Sequence, residues 1–316
     1  MSRSEFDFIE TCLAPLSRGF DGALDLGDDA ALVEMGDGRT LVIAKDAMVE
    51  DVHFRAADPP DTVARKVLRT NLSDLAAMGA EPLAYLTAIA RPGSRGDDWL
   101  EAIAAGFAAD QSIWPIHLIG GDTVSTAGPA MLSCTILGTL PTGTALLRSG
   151  ARPGDLVLVS GTLGDSALGL RVLQGLAADD EARLFLADRY RLPRPRTTLG
   201  TLLRGRASSA IDISDGLVAD LGHILSRSQA GATIATQRLP LSRHAAGMPG
   251  ALEAALFGGD DYELLFTLPP DRFDEVTALA DIPVTVIGRI DAEPGLRVLD
   301  ESGRPVDTPR RGWQHF

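Results

Sequence analysis

Aspartates stand beside glycines or directly after apolar runs at five places in this chain. They are Gly27-Asp28-Asp29, Asp46 after Val42-Ile43-Ala44, Gly120-Gly121-Asp122 after Ile116 to Ile119, Asp212-Ile213-Ser214-Asp215-Gly216, and Gly258-Gly259-Asp260-Asp261-Tyr262-Glu263 ahead of Leu264-Leu265-Phe266. One aspartate after a strand is ordinary turn or cap chemistry. Carboxylates gathered at several strand ends repel one another unless cations neutralise them. Hard oxygen donors without His or Cys select Mg2+ or Ca2+. Mg2+ typically takes one or two carboxylates together with substrate phosphate oxygens. The pattern points to a metal-filled cradle for a phosphorylated ligand.

Lys66 to Met78 adds to it. Leu68, Leu72 and Leu75 make one apolar stripe at helical spacing, and Asn71 and Asp74 share a face three residues apart. Two readings stand: a solvated edge of an amphipathic helix, or a polar pair projecting into a site with Asp74 as metal ligand. Gly161-Thr162-Leu163-Gly164-Asp165 reads as an ordinary strand-to-helix turn, although backbone N–H groups there could hold a phosphate. A lone His such as His53 is more often structural than catalytic.

Short β-like runs alternate with helical ones. Strands are expected at 40–44, 83–90, 116–119 and 131–140, with helices from Asp61, as cap, to about Met78 and over Asp97 to Gln111. The Gly/Pro cluster Arg148 to Asp155 is the candidate boundary, giving domains 1–147 and 148–316. Beyond it come strands at 156–160, 209–213, 264–268 and 284–287, with helices from Asp165 and about Gly216. Mixed elements in two halves imply an α+β, two-domain fold.

Charge narrows the function classes. With 29 basic and 43 acidic residues the chain carries −14, a poor match for nucleic acid or an anionic membrane surface. Only two of the bases are lysines, Lys45 and Lys66, and neither lies in a P-loop pattern; G-x-G-x-x-G is also absent. Cys12 and Cys134 form no metal pattern or disulfide framework. No apolar run approaches the roughly 18 residues of a membrane span. A cytoplasmic protein is expected.

These segments together resemble the thiamine-monophosphate kinases, of the superfamily that includes aminoimidazole ribonucleotide synthetase. The matching pieces are GDDAA (27–31), DAMVEDVHF (46–54), NLSDLAAMGAEP (71–82), GGDT (120–123), RSGARPGD (148–155), SGTLGDSALGL (160–170), AIDISDGL (210–217), GGDDYELLFT (258–267) and GWQHF (312–316), in order along the chain. The resemblance implies an N-terminal ATP-binding mixed-sheet domain, a C-terminal α/β domain and a homodimer formed through the N-terminal sheets. It implies in-line transfer of the γ-phosphoryl group of ATP to thiamine monophosphate, with several Mg2+ ions and no general base. It makes Asp29, Asp46, Asp74, Asp122, Asp212 and Asp215 metal ligands. It makes Gly121, Asp122, Arg148 and Ser214 ATP contacts, and His53, Glu263 and Trp313 thiamine monophosphate contacts. Three departures stand out: Ala44-Lys45 where Ser/Thr hydroxyls are usual, Asp260 where Glu is common, and no tyrosine in Leu100 to Gln111. Two relatives in the superfamily need a cysteine that this chain lacks. A non-catalytic Mg–nucleotide module is the remaining rival.

Overall fold

The computed structural model describes residues 5–307. A short helix α1 (Glu5–Phe8) and successive tight turns lead to β1 (Ala31–Glu34) and β2 (Arg39–Val49). Then come α2 (Pro60–Ala77), β3 (Glu81–Pro92), α3 (Asp97–Gln111), β4 (His117–Thr126) and β5 (Met131–Pro141). The strands form a mixed sheet ordered β1-β2-β5-β3-β4, in which β3 and β4 run parallel and the other pairs antiparallel.

The chain then crosses to β6 (Leu156–Ser160), α4 (Asp165–Leu173), α5 (Asp180–Arg191), α6 (Thr197–Leu203), β7 (Ser209–Asp212), α7 (Leu217–Ser228) and β8 (Gly231–Ala235). It ends with α8 (Ala251–Phe257), β9 (Leu264–Leu268), α9 (Phe273–Leu279), β10 (Val284–Asp291) and β11 (Gly295–Leu299). The second sheet is ordered β11-β8-β10-β6-β9-β7. Two mixed sheets with helices make the fold α+β in two domains.

Helix α2 is the piece that positions the site. Pro60 occupies its first turn, where the missing N–H costs nothing. The helix ends at Gly79, whose φ of +73° suits glycine as the residue that stops a helix. An amphipathic surface helix shows one apolar stripe, but α2 is buried nearly all round. Leu68, Leu72 and Leu75 fill the N-terminal core, while Ala76 and Ala77 pack with Leu199, Leu203 and Phe266 of the second domain. Gly200 lets α6 meet the Ala76 carbonyl: a Cβ there would lie 2.1 Å from that oxygen. The polar residues of α2 are therefore caught between two domains, and the solvated-edge reading does not hold.

Three further expectations need correcting. Asp61 does not cap α2, because the helix already begins at Pro60 and no side chain caps it. Asp46 and Asp122 do not end strands; they lie inside β2 and β4, because β5 and β3 continue to pair beside them.

Candidate active site

Three carboxylates from three parts of the chain converge. Asp29 precedes β1, Asp74 projects from α2 and Asp212 ends β7; one oxygen of each lies within 4.8 Å of the others. Asp46 sits beside them, its N–H donating to Asn71 Oδ1 at 3.2 Å. Asn71 is itself fixed, donating to the Val67 carbonyl at 2.8 Å. Ser73 Oγ donates to Asp212 Oδ2 at 2.6 Å. One arginine answers all this charge: Arg148 bonds Asp29 Oδ1 at 2.6 Å, and its backbone N–H reaches Asp28. The second oxygen of Asp29 is buried without a hydrogen-bond partner.

The electrostatic cost is visible in the acidities. Burial first, then the charge of Asp29, pushes Asp212 up to about 8. Burial and Asp29 push Asp28 up to about 7. Burial, followed by Asp46 and Asp212, holds Asp74 well above the carboxylate range. A buried, charge-crowded set of hard oxygens with an orphan lone-pair donor fits a divalent cation of the Mg2+ type. No His or Cys competes for it in that trio.

Asp215 belongs to a neighbouring group. Its carboxylate approaches Asp220 and His223, one ligand atom of each within 4.8 Å. Burial, then Arg148 and Arg227, lowers His223 to about 4, so its ring is neutral. Ser214 lies between the two aspartate groups and bonds Asp220 through its N–H at 3.1 Å.

Asp122 does not join the cluster. Asp46 aligns across the sheet with Cys134, Thr87 and Gly121, whereas Asp122 aligns with Ala88, Ser133 and Ala47. Side chains alternate along a strand, so Asp46 and Asp122 point to opposite faces, and three strand spacings separate them by about 14 Å. Asp122 is exposed, and its Oδ1 accepts the Thr123 N–H at 2.8 Å.

Gly121 and Asp122 border a cavity of about 440 Å³ between α3 and the β3–β4 pair. Leu100, Ile103, Phe107 and Tyr85 give it apolar walls, and Gln111 supplies an amide that donates to Tyr85 OH at 3.2 Å. Position 104, on the inner side of α3, is alanine, which leaves this space open. Any side chain at 121 would drive β4 off β3, since a Cβ would lie 2.1 Å from the Thr87 carbonyl oxygen.

Of the residues expected to hold the second ligand, His53 lies on the domain seam and Glu263 is buried inside the second domain. His53 Nδ1 accepts the Val49 N–H at 3.0 Å, which leaves the proton of a neutral ring on Nε2. Its carbonyl accepts from Lys66 Nζ at 2.9 Å and from Tyr190 OH at 3.4 Å. Lys66, only 2% exposed, also pairs with Asp260 at 2.7 Å and lies 3.9 Å from the Tyr190 ring centroid. Glu263 is fully buried and held by Ser160 Oγ (2.6 Å), Arg189 (2.9 Å) and Arg196 Nε (2.6 Å). Trp313 lies outside the described residues. The β6–α4 turn offers no open phosphate site: Asp261 takes the Gly164 and Ser166 N–H groups at 2.6 and 3.3 Å. Lys45 turns to the far face of β2 and bonds Ser133 Oγ at 2.6 Å.

Sequence reasoning missed Lys66, Tyr190, Arg189, Arg196 and Asp220. Only Lys66 carried a signal, as one of two lysines in the chain.

Two sheet-and-helix domains, with acidic residues from both gathered along their seam, define the class. The AIR synthase related protein N-terminal domain matches residues 27–140, and the AIR synthase related protein C-terminal domain matches 152–301. Within that class the chain belongs to the thiamine-monophosphate kinase family. It is 44% identical to the thiamine-monophosphate kinase of Caulobacter vibrioides over 322 residues, covering 99% of this chain and 91% of that one. It is 41% identical to that of Escherichia coli strain K12 over 309 residues, covering 95% and 94%. The structure of AaThiL complexed with AMPPCP and TMP matches with a TM-score of 0.88 and 31% identity over 100% of this chain and 99% of that one. The thiamine-monophosphate kinase of Stenotrophomonas maltophilia K279a matches with a TM-score of 0.79 and 41% identity over 97% and 99%. The E. coli hydrogenase maturation protein HypE shares the fold, at a TM-score of 0.69 and 22% identity.

Proposed function

We propose that this chain transfers the γ-phosphoryl group of ATP to thiamine monophosphate, yielding thiamine diphosphate and ADP. The observation that carries the reading is the convergence of Asp29, Asp74 and Asp212 at the seam between the domains, with oxygens within 4.8 Å of one another. Membership of the thiamine-monophosphate kinase family names the two substrates.

The acceptor is a phosphate monoester whose second pKa is roughly 6, so it is largely ionised at pH 7. No residue has to remove a proton. The barrier is the approach of two anions, and positioning with charge neutralisation lowers it. Asp29, Asp46, Asp74 and Asp212 would hold Mg2+, with Asp215 as a further ligand. Bound Mg2+ supplies the positive charge that offsets the phosphates. Arg148, tied to Asp29, places a guanidinium beside the same carboxylates for a bidentate phosphate contact. The apolar cavity under α3 suits the adenine, with Gly121 allowing close approach and Ser214 as a further ATP contact. His53, Glu263 and Trp313 would hold thiamine monophosphate; Arg189 and Arg196 fix the Glu263 carboxylate.

The proposed assembly is a homodimer through the N-terminal sheets. β4 is an edge strand, and Leu118, Ile119 and Val124 on it are each about half exposed (48, 60 and 51%). A second copy covering that strand would also enclose Asp122, whose metal and ATP roles we assign to the assembled dimer. A cytoplasmic location accords with the two free thiols. Among the described residues no helix is long and apolar enough to cross a membrane.

A coupled ADP-release assay tests the reading. ADP should appear only when ATP, Mg2+ and thiamine monophosphate are all present. Nucleotide binding without turnover would leave the non-catalytic module.

A further inference from the structure

Asp220 stands in the first turn of α7 and is 2% exposed. Its Oδ2 accepts three consecutive backbone N–H groups, those of Ser214, Asp215 and Gly216, each at 3.1 Å. The other side of the same loop is also held. The Ser214 carbonyl accepts the Asp260 N–H and the Ile213 carbonyl the Tyr262 N–H, both at 2.9 Å. Asp260 and Tyr262 make those bonds from left-handed conformations, φ +69° and +51°, which non-glycine residues rarely adopt. Gly259 passes so near that a Cβ would lie 2.4 Å from the Ser214 oxygen.

The loop thus has its amides drawn to one carboxylate and its carbonyls pinned by a strained segment. It carries Ser214 and Asp215 and follows directly on Asp212. We infer that Asp220 is a positioning residue: it sets the 213–216 loop before any cation arrives, so that Asp212 and Asp215 meet a divalent ion in a fixed geometry. Removing the side chain would leave three backbone donors of one loop without their common partner. Groups that orient metal ligands in this way typically cost 10–100-fold in metal affinity when removed. The inference rests on the proposed metal roles of Asp212 and Asp215.

Hydrogen exchange and Mn2+ binding on the full chain test it. In the metal-free wild type, the amides of Ser214, Asp215 and Gly216 should already be protected, and Mn2+ should add little. Asp220→Ala should weaken Mn2+ binding, followed by electron paramagnetic resonance, at least 10-fold while unfolding remains cooperative. If that variant does not fold, Asp220→Asn carries the test: a neutral acceptor should speed exchange at the three amides at least 10-fold and weaken Mn2+ about 3-fold or more. A role confined to stability would lower the melting temperature of either variant and leave Mn2+ affinity unchanged. That result overturns the inference, as does free exchange at 214–216 in the metal-free wild type. Absence of Mn2+ binding by the wild type refutes the metal reading instead, and exchange alone then judges the clamp.

Discussion

Asp212→Asn should make the metal-free protein more stable at alkaline pH while abolishing turnover. Asp212 is 3% exposed, and burial beside Asp29 raises its carboxyl to about 8. The unfolded chain releases that proton near pH 4. Between about pH 4 and about 8 the folded state therefore binds more protons than the unfolded one, and stability falls as pH rises. Above about 8 the whole cost is present, because the buried group is then ionised. At about 1.4 kcal/mol per pKa step, the cost approaches ~6 kcal/mol, and sharing with Asp29 and Asp46 brings the part that Asn removes to ~3 kcal/mol. For a chain of this size that is roughly 4–5 °C in melting temperature. Asn keeps the acceptor for Ser73 Oγ, so packing is preserved. Calorimetry in excess chelator should show the variant within about 1 °C of wild type near pH 4 and roughly 4–5 °C above it near pH 9. Saturating Mg2+ should then raise the wild type, since binding to the folded state stabilises by mass action, and leave the variant nearly unmoved. Equal melting temperatures near pH 9 without metal would refute the claim that the aspartate crowding is uncompensated.

Other outcomes follow from single contacts. Asp46→Asn should remain folded, by an unchanged circular dichroism spectrum, and lose turnover by at least ~100-fold, as expected when a ligand that neutralises transferring phosphates is lost. Ala104→Trp should fill the cavity under α3 and raise KM for ATP roughly 10-fold or more, with KM for thiamine monophosphate unchanged in steady-state assays; a pocket-wall change of that size is worth ~1–3 kcal/mol. Asp110→Ala should destabilise by ~3–5 kcal/mol in chemical denaturation, because the fully buried carboxylate bridges Arg69 at 2.7 and 2.8 Å and Arg65 at 2.9 Å between α2 and α3.

Much of the fold was legible because local pattern and tertiary placement agree. α3 spans Asp97–Gln111, β6 Leu156–Ser160 and β9 Leu264–Leu268, as read from apolar runs with clear breakers. β6 and β9 are buried on both faces, and such strands read as continuous apolar runs. The aspartates at 29 and 212 were legible from their strand-end and glycine context, whereas Asp74, on a helix with no glycine beside it, stood between two readings until the family resemblance joined it to them. Their convergence was not, since it depends on α2 packing against β7 and on Asp29 reaching Arg148 across more than a hundred residues. The Asn71–Asp74 face of α2 stays open between solvent and a site in the sequence for the same reason: no local pattern distinguishes a face against solvent from one against a second domain. The Lys66–Asp260 pair joins residues nearly two hundred apart and left no spacing to find.

The placement of Asp122 shows where sequence reading stops. Gly120-Gly121-Asp122 looks like a strand-end carboxylate equal to the others. Its direction is set instead by the register of β4 on β3, which shifts at a bulge between Tyr85 and Leu86. That register puts Gly121 in the row of Asp46 and turns Asp122 to the opposite, exposed face. A slip of one residue in the pairing would exchange the two faces. The same register leaves β4 as an edge strand with half-exposed Leu118 and Val124, a liability that proteins ordinarily blunt or cover. One feature of pairing thus bears on two proposals: the strand that a second copy would cover is the strand that carries the remaining aspartate. Asp122→Asn in a protein held monomeric should then change Mn2+ binding by less than about 2-fold, whereas in the dimer it should weaken it by the 10-fold or more expected for a lost ligand. Equal loss in both forms would place Asp122 in the cluster of its own chain and refute the register argument.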